Sequence, residues 1–346
     1  MLEKNRSVTS YGDEPGLRFA VLLDGQGGCR TVNMAEACSW KPHDGIVWLH
    51  FERDHPAAAD WVNNEGRFDP VVAEALLEDE SRPRVEPVDD GLLIILRGLC
   101  AAPPDDETYE AHGAGADLDL VPLHIWIDQN RLVTLRDSGH YITALRDIRR
   151  ALENGKGPKK AGDLLAMVAD KLVRDLEPVL DSMDEEIDEL DELIFKGEAS
   201  EVRQRLKLLR RRAVQLRRYL APQRDALSRI EHDDAPWLSD RDRLRIREVI
   251  DKLMRFIEYL DAIRDRTSIL HDDLATVIGE RIARNSNRLA ALAALLLPPS
   301  VVAGLFGMNV GGIPGVNDTW AFVIIVAVVV VISAGTLWLL KRIDWL

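Results

Sequence analysis

The sequence predicts an α+β domain with a mixed sheet and helices, followed by long helices and a two-helix transmembrane hairpin. Three observations predict it. Short apolar runs alternate with polar turns over residues 17–150, apolar residues recur at helical spacing from Leu165 onward, and two almost charge-free apolar stretches lie near the C-terminal end.

Residues 1–16 are polar, lack the apolar stretch of a signal peptide, and are expected to be disordered. Residues 17–160 read as one α/β domain, expected to be cytoplasmic. Its strand candidates are Phe19–Leu23, Ile46–Phe51, Leu92–Leu96, Leu123–Ile127 and Leu132–Leu135, the last two flanking Asp128-Gln129-Asn130-Arg131, a hairpin turn. Helical patterns fall at Pro70–Leu77 and Tyr141–Leu152, and Gly155–Lys160 is a natural break. A net charge of −14 over 346 residues argues against a general nucleic-acid binder, which would be basic, and suits a body that attracts cations. Cys29, Cys38 and Cys100 have no paired spacing, fit a reducing compartment, and are expected to be buried apolar residues.

Residues 161–238 read as a helical pair. Leu165, Val168, Leu172, Leu176, Val179, Met183, Ile187, Leu190 and Ile194 mark one apolar stripe, with Asp181, Asp184, Glu185, Glu186, Asp188 and Glu189 on the remaining faces. The helix from Glu201 is basic, with Arg203, Arg205, Arg210, Arg211, Arg212, Arg217 and Arg218, so an antiparallel pairing of opposite charge is expected; solvated faces are the competing explanation. Pro178 and Pro222 predict a kink or a stop in each. Residues 239–288 form a stalk helix with Ile246, Ile250, Leu253, Ile257, Leu260, Thr267, Leu274 and Ile278. Continued to Met308 at ~1.5 Å per residue it would run ~100 Å, and a near-3.5 repeat sustained that far predicts identical stalks packing side by side in a homo-oligomer.

Between Leu289 and Leu340 the one charged side chain is Asp318. The segment splits into spans at 289–308 and 320–340, joined by a loop at 309–319 and followed by a tail at 341–346; each span has about the 20 residues needed to cross ~30 Å of hydrocarbon. Arg281, Arg284 and Arg288 precede the first span, Lys341 and Arg342 follow the second, and the loop has no Lys or Arg, which puts both termini in the cytoplasm. Trp320, Trp338 and Trp345 sit near the expected interfaces.

The first span closes with Gly304-Leu305-Phe306-Gly307-Met308-Asn309 and continues Val310-Gly311-Gly312-Ile313-Pro314-Gly315. Gly307-Met308-Asn309 ending a first span, two C-terminal helices and a large N-terminal body resemble the CorA-type divalent metal-ion transporters. The Val-Gly-Gly-Ile-Pro-Gly continuation, with Arg218-Tyr219-Leu220-Ala221-Pro222-Gln223 and Pro236-Trp237-Leu238-Ser239-Asp240, looks like the ZntB zinc-transporter branch. The resemblance implies a funnel-shaped homopentamer in the bacterial inner membrane, surrounded by lipid, with first spans lining a pore and the Gly307-Met308-Asn309 loops forming its outer mouth. It also implies that Gly304, Ser300 and Leu297 face that pore.

The implied chemistry is sound on its own terms. A ring of Asn309 amide oxygens would accept hydrogen bonds from the water shell of a divalent cation, and the glycines let backbones approach and turn; a plain flexible turn is the competing reading. Ser300 would offer a hydroxyl ring or satisfy its i−4 carbonyl, and Leu297 a hydrophobic constriction. Pro298 fits the family, whereas Pro299 departs from it and leaves the kink open. Neither span carries Cys, His or carboxylate, so no dehydrated zinc site is expected there, and Asp318 is the one acid of the outer loop. On the inner extrapolation of the pore stripe Asp272 would line a vestibule, with Glu280 and Ser286 near it. His232-Asp233-Asp234 and His271-Asp272-Asp273 read mainly as solvated surface, because neighbours on a helix point about 100° apart. His43, His50 and His55 have no metal spacing and read as packing or surface residues. No Walker sequence exists, so neither an enzyme nor a resident cofactor is expected.

The resemblance to that branch implies Zn²⁺ uptake, as a hydrated ion on the chemistry above, coupled to the proton gradient. A Mg²⁺, Co²⁺ or Ni²⁺ channel of the same fold, zinc efflux, and a membrane-tethered scaffold are the alternatives.

Overall fold

The computed structural model describes residues 15–79, 82–101, 120–196, 199–308 and 319–342. The expectation of N-terminal disorder falls on residues outside these, except Pro15 and Gly16, which turn into the first strand. Two compact units emerge, one of Met1–Glu192 with Gln204–Ser268, the other of Leu193–Arg203 with Ile269–Leu346.

In the first unit the strands are β1 (Leu17–Leu23), β2 (Cys29–Thr31), β3 (Ile46–Glu52), β4 (Arg84–Val88), β5 (Gly91–Ala101), β6 (Leu120–Ile127), β7 (Arg131–Arg136) and β8 (Tyr141–Ile142). They pair in the order β2-β1-β3-β7-β6-β5-β4, with β8 on β5. The β3–β7 pairing is parallel and the others are antiparallel, giving the mixed sheet. Each apolar run noted in the sequence lies in a strand. The β6–β7 turn is held by Asp128, whose Oδ1 accepts from the Asn130 and Arg131 amides at 2.9 Å each. Every residue of β6 is buried, as expected of a strand covered on both faces.

Alternation along the strands sends side chains to two cores. One face carries Ala20, Leu22, Val47, Leu49, Phe51, Val133 and Leu135, covered by α1 (Met34–Ser39), α2 (Pro56–Asp60) and α3 (Pro70–Leu77) through Ala37, Ala58 and Leu76. Phe19, Trp48, His50 and Thr134 take the other face, on the side of α4 (Thr143–Glu153) and α5 (Ala161–Arg174). There Thr134 Oγ1 ties the strands together, accepting from Trp48 Nε1 at 3.0 Å and lying 2.9 Å from His50 Nδ1.

The stretch 161–238 holds three helices rather than a pair: α5, α6 (Glu177–Lys196) and α7 (Ala199–His232). The break comes at Asp175–Leu176 because Pro178 is the second residue of α6, where its missing N–H costs no helical bond. Pro222 does not stop α7. Leu220 and Leu227 are fully buried on either side, and that packing outweighs the ~3 kcal/mol an interior proline costs. The opposite charges of α6 and α7 do meet. Arg205 grips Glu189 with bonds of 2.6 and 3.2 Å, and Arg212 reaches Glu186 at 3.2 Å, a register that runs antiparallel.

The long helix, α8 (Asp240–Phe306), is continuous, and α9 (Ala321–Arg342) follows. Much of the apolar repeat of α8 is used inside the chain. Ile246, Ile250, Leu253, Ile257 and Leu260 are already buried within a single chain, as are Leu180, Met183 and Ile187 of α6 and Leu206, Leu209 and Leu216 of α7. That part of the repeat is consumed by intrachain packing, whereas Ile278 is half-buried and residues 281–290 are exposed. Arg266 to Asp188 at 2.6 Å and Arg217 to Asp261 at 2.7 Å fasten α8 to α6 and α7. The cysteines also differ from expectation: Cys38 is exposed and Cys29 and Cys100 are half-buried. On α1 the core position is taken by neighbouring Ala37, which turns Cys38 outward.

Candidate functional site

Within the second unit, α9 is 22 residues long, or ~33 Å at 1.5 Å per residue, and the last part of α8 is similarly apolar. Both are long and apolar enough to cross a membrane, and very few of these residues are buried in the single chain, most being exposed. An apolar surface this extensive cannot face water and must meet lipid or further copies of apolar protein. Trp320 and Trp338 lie near opposite ends of α9, and Arg342 stacks over the Trp338 ring at 5.3 Å.

The end of α8 sets the geometry of the signature. The helix stops at Phe306, and the Gly307 amide still donates to Ala303 O at 2.9 Å before Gly307 and Met308 turn away. A Cβ on Gly307 would lie 3.0 Å from Ala303 O, so the glycine permits a close backbone approach, while a Cβ on Gly304 would meet nothing within 4 Å. Leu297, Ser300 and Gly304 follow one another at three and four residues and share one helical face, exposed at all three positions. Ser300 Oγ donates to Leu296 O at 2.8 Å, the i−4 arrangement. Pro298 and Pro299 both lie inside α8 and deprive the Ala294 and Leu295 carbonyls of their usual partners. Asn309 and Asp318 lie outside the described residues.

Farther back on α8, Asp272, Glu280 and Ser286 are exposed. Glu280 sits 4.0 Å from Arg284, and the Asp272 carbonyl accepts from Thr276 Oγ1 at 3.0 Å. Among the described residues no three His, Cys, Asp or Glu side chains come together as a metal-binding group. The histidines of the first unit have separate structural tasks. His50 is buried against Thr134, His55 Nδ1 accepts from the Ala57 amide at the start of α2, and His43 lies beside Asp44 at 3.4 Å. His232 Nδ1 lies 2.8 Å from the Ser228 carbonyl.

Comparison with known proteins places this architecture. Residues 43–342 match the family model described as CorA-like Mg2+ transporter protein. The zinc transport protein ZntB of Yersinia enterocolitica is 31% identical over 332 residues, covering 95% of each chain. The divalent cation transporter CmaX of Pseudomonas aeruginosa is 33% identical over 339 residues, covering 97% of this chain and 98% of that one. The solved structure of full-length CmaX superposes with a TM-score of 0.78 at 31% identity, over 97% of this chain and all of its own. The complete CorA magnesium transporter of Methanocaldococcus jannaschii has the same TM-score, 0.78, at 20% identity over 95% of this chain and 99% of that one, and so shares the fold. With the model matched from the first unit through α9, the chain belongs to the CorA-like Mg2+ transporter family, whose members are membrane transporters of divalent cations and not enzymes.

Proposed function

We propose that this protein carries Zn²⁺ inward across the bacterial inner membrane as a hydrated ion, through a pore built by five copies of the chain. The observation that carries the reading is the exposed apolar end of α8, bearing Leu297, Ser300 and Gly304 on one face and closing in the Gly307-Met308 turn before Asn309. A single two-helix hairpin cannot enclose a channel, so repetition of that face around an axis supplies the wall, and lipid covers the remainder. Both termini lie in the cytoplasm by the arginines before the first span and the Lys341-Arg342 pair after the second.

A ring of Asn309 amides would hold the water shell rather than the bare metal, with Leu297 as the constriction within. Asp318 would draw cations to the outer mouth, and Asp272, with Glu280 and Ser286 as lesser contributors, would hold them at the inner one. A potential near −100 mV favours a divalent ion by ~4.6 kcal/mol, so inward movement requires no ATP. Zinc as cargo is supported by the resemblance to ZntB along 95% of the chain and by the Gly311-Gly312-Ile313-Pro314-Gly315 loop. Coupling to the proton gradient rests on the same resemblance, and because neither span contains an ionisable side chain, the proton would move as hydronium or by way of acids outside the spans.

The family model's own description favours a second reading, a Mg²⁺, Co²⁺ or Ni²⁺ pathway of the same build; efflux of zinc is the same machine under the opposite gradient. The assembly is tested by the mass of the purified protein in detergent, for which five chains are expected and one or two would remove the pore. The ring is tested by Asn309→Ala: zinc flux into liposomes should collapse, and wild-type flux would remove Asn309 from the pathway.

A further inference from the structure

On the sheet face occupied by α4, a cavity of about 340 Å³ is lined by five arginines, Arg18, Arg136, Arg146, Arg149 and Arg150, against one glutamate, Glu153. In a chain of net charge −14 this is a local reversal of sign. Three separate stretches build it: Arg18 stands on β1, Arg136 ends β7, and Arg146, Arg149 and Arg150 share one face of α4 at spacings of three and four residues.

Arg136 marks the cavity as a site. It is 5% exposed, its Nη1 donates to the Asp137 carbonyl at 2.8 Å, and its guanidinium lies over the Tyr141 ring at 4.8 Å. Among the described residues it has no carboxylate partner within ion-pair distance, because neighbouring Glu52 is taken by Arg18. Burial and then the Arg18 charge pull the Arg136 pKa down, with Glu52 opposing. A buried guanidinium whose one nearby counter-charge is shared with a second arginine is costly, and an anion in the cavity would relieve that cost. Arg146 and Arg150 likewise form no ion pair among the described residues, whereas Arg149 is bonded to Glu153 at 2.9 Å and lies over Phe19.

The remaining wall tells what the anion is attached to. Phe19, Tyr141, Ile142 and Leu145 supply an apolar and aromatic side, and buried His50, held neutral by burial and by Arg136, adds no charge. The volume lies at the small end of ligand pockets, ~300–1,000 Å³, and suits one compact solute. Arginine forks match phosphate oxygens in geometry, and their planes accept an aromatic ring.

We propose that this cavity binds a phosphomonoester of a small aromatic solute, of the nucleoside monophosphate class, with the phosphate on Arg136 and the α4 arginines and the ring against the Phe19 and Tyr141 side. The site is independent of which cation the protein carries.

The test is equilibrium binding to the full-length protein in detergent, using adenosine monophosphate, adenosine and inorganic phosphate as probes. Saturable binding of the monophosphate is expected, at least tenfold tighter than either fragment. It should weaken at least tenfold in the Arg146→Glu, Arg150→Glu double variant, whose substituted positions are exposed, and be lost in Arg136→Gln. The double variant decides the matter if Arg136→Gln does not fold. Absence of saturable binding, equal affinity for inorganic phosphate, or unchanged affinity in the double variant would overturn the proposal.

Discussion

Gly304→Ala separates the pore-facing reading from a merely structural one. Gly304 lies within α8, three residues from its first turn-forming neighbour, and a Cβ built there meets no atom within 4 Å. The added methyl therefore clashes with nothing in its own chain, and replacing an interior helical glycine with alanine should stabilise by ~0.5–1 kcal/mol per chain. If the residue lines the lumen, five such methyls narrow one ring of the pathway. An at least tenfold drop in ion flux is then expected, equivalent to ~1.4 kcal/mol on the barrier. Gly335→Ala in α9 is the control, since its Cβ also meets nothing within 4 Å and it should stabilise similarly without slowing flux. Thermal unfolding in detergent and ion uptake by proteoliposomes give the two readouts. Wild-type flux in Gly304→Ala, with stability raised as in the control, would refute the assignment of Gly304 to the pathway.

Other expectations concern the first unit. His124 is fully buried against the Ala75 carbonyl, and burial, followed by the charge of Arg53, lowers its pKa to about 4. The unfolded chain takes up this proton near the ordinary histidine value of ~6.5 while the folded one refuses it, so stability is full above ~6.5 and falls toward pH 4. The loss should reach ~2 kcal/mol by pH 5, and His124→Leu should flatten the profile in chemical denaturation. Arg53, whose side chain is 6% exposed, binds Asp137 at 2.5 Å and the Leu77 carbonyl at 2.7 Å. Arg53→Ala should destabilise by ~3 kcal/mol, read as a lowered denaturation midpoint. Gly98→Ala would bring a Cβ to 2.5 Å from Leu172 and 3.2 Å from Ile142, so a loss of ~1–3 kcal/mol is expected in the same assay. By contrast, a double-mutant cycle on exposed Glu189 and half-buried Arg205 should return under ~1 kcal/mol, although the guanidinium holds the Glu189 carboxyl below its ordinary pKa.

Where period and composition act locally, the sequence was legible. The five apolar runs became strands, Pro70–Leu77 became α3 with its bounds unchanged, and the charge contrast of α6 and α7 became antiparallel ion pairs. What failed required tertiary knowledge. In the stalk, periodicity reports that a face is buried and not by which chain, and Ile246 to Leu260 prove to be buried within one. A kink or a stop at Pro222 stayed open because the packing around Leu220 and Leu227, which carries α7 through it, is invisible to local propensity. Short β2 and β8 carry too few residues to show a period, and β4, with Arg84, Glu86 and Pro87 among its five, has no apolar run. The arginine-lined cavity could not be read either, since Arg18, Arg136 and the α4 arginines are brought together only by the β1-β3-β7 order. For the pathway itself, the spacing of Leu297, Ser300 and Gly304 was enough to put them on one face, and the structure added that Ser300 is bonded to Leu296.

The most direct test is ion flux into liposomes holding the purified protein, comparing zinc with magnesium under the same potential, with and without a pH step. Zinc uptake should exceed magnesium uptake, rise when protons flow inward, and persist with magnesium at equal concentration. Equal or greater magnesium flux, or zinc uptake indifferent to collapse of the pH gradient, would contradict the selectivity or the coupling respectively.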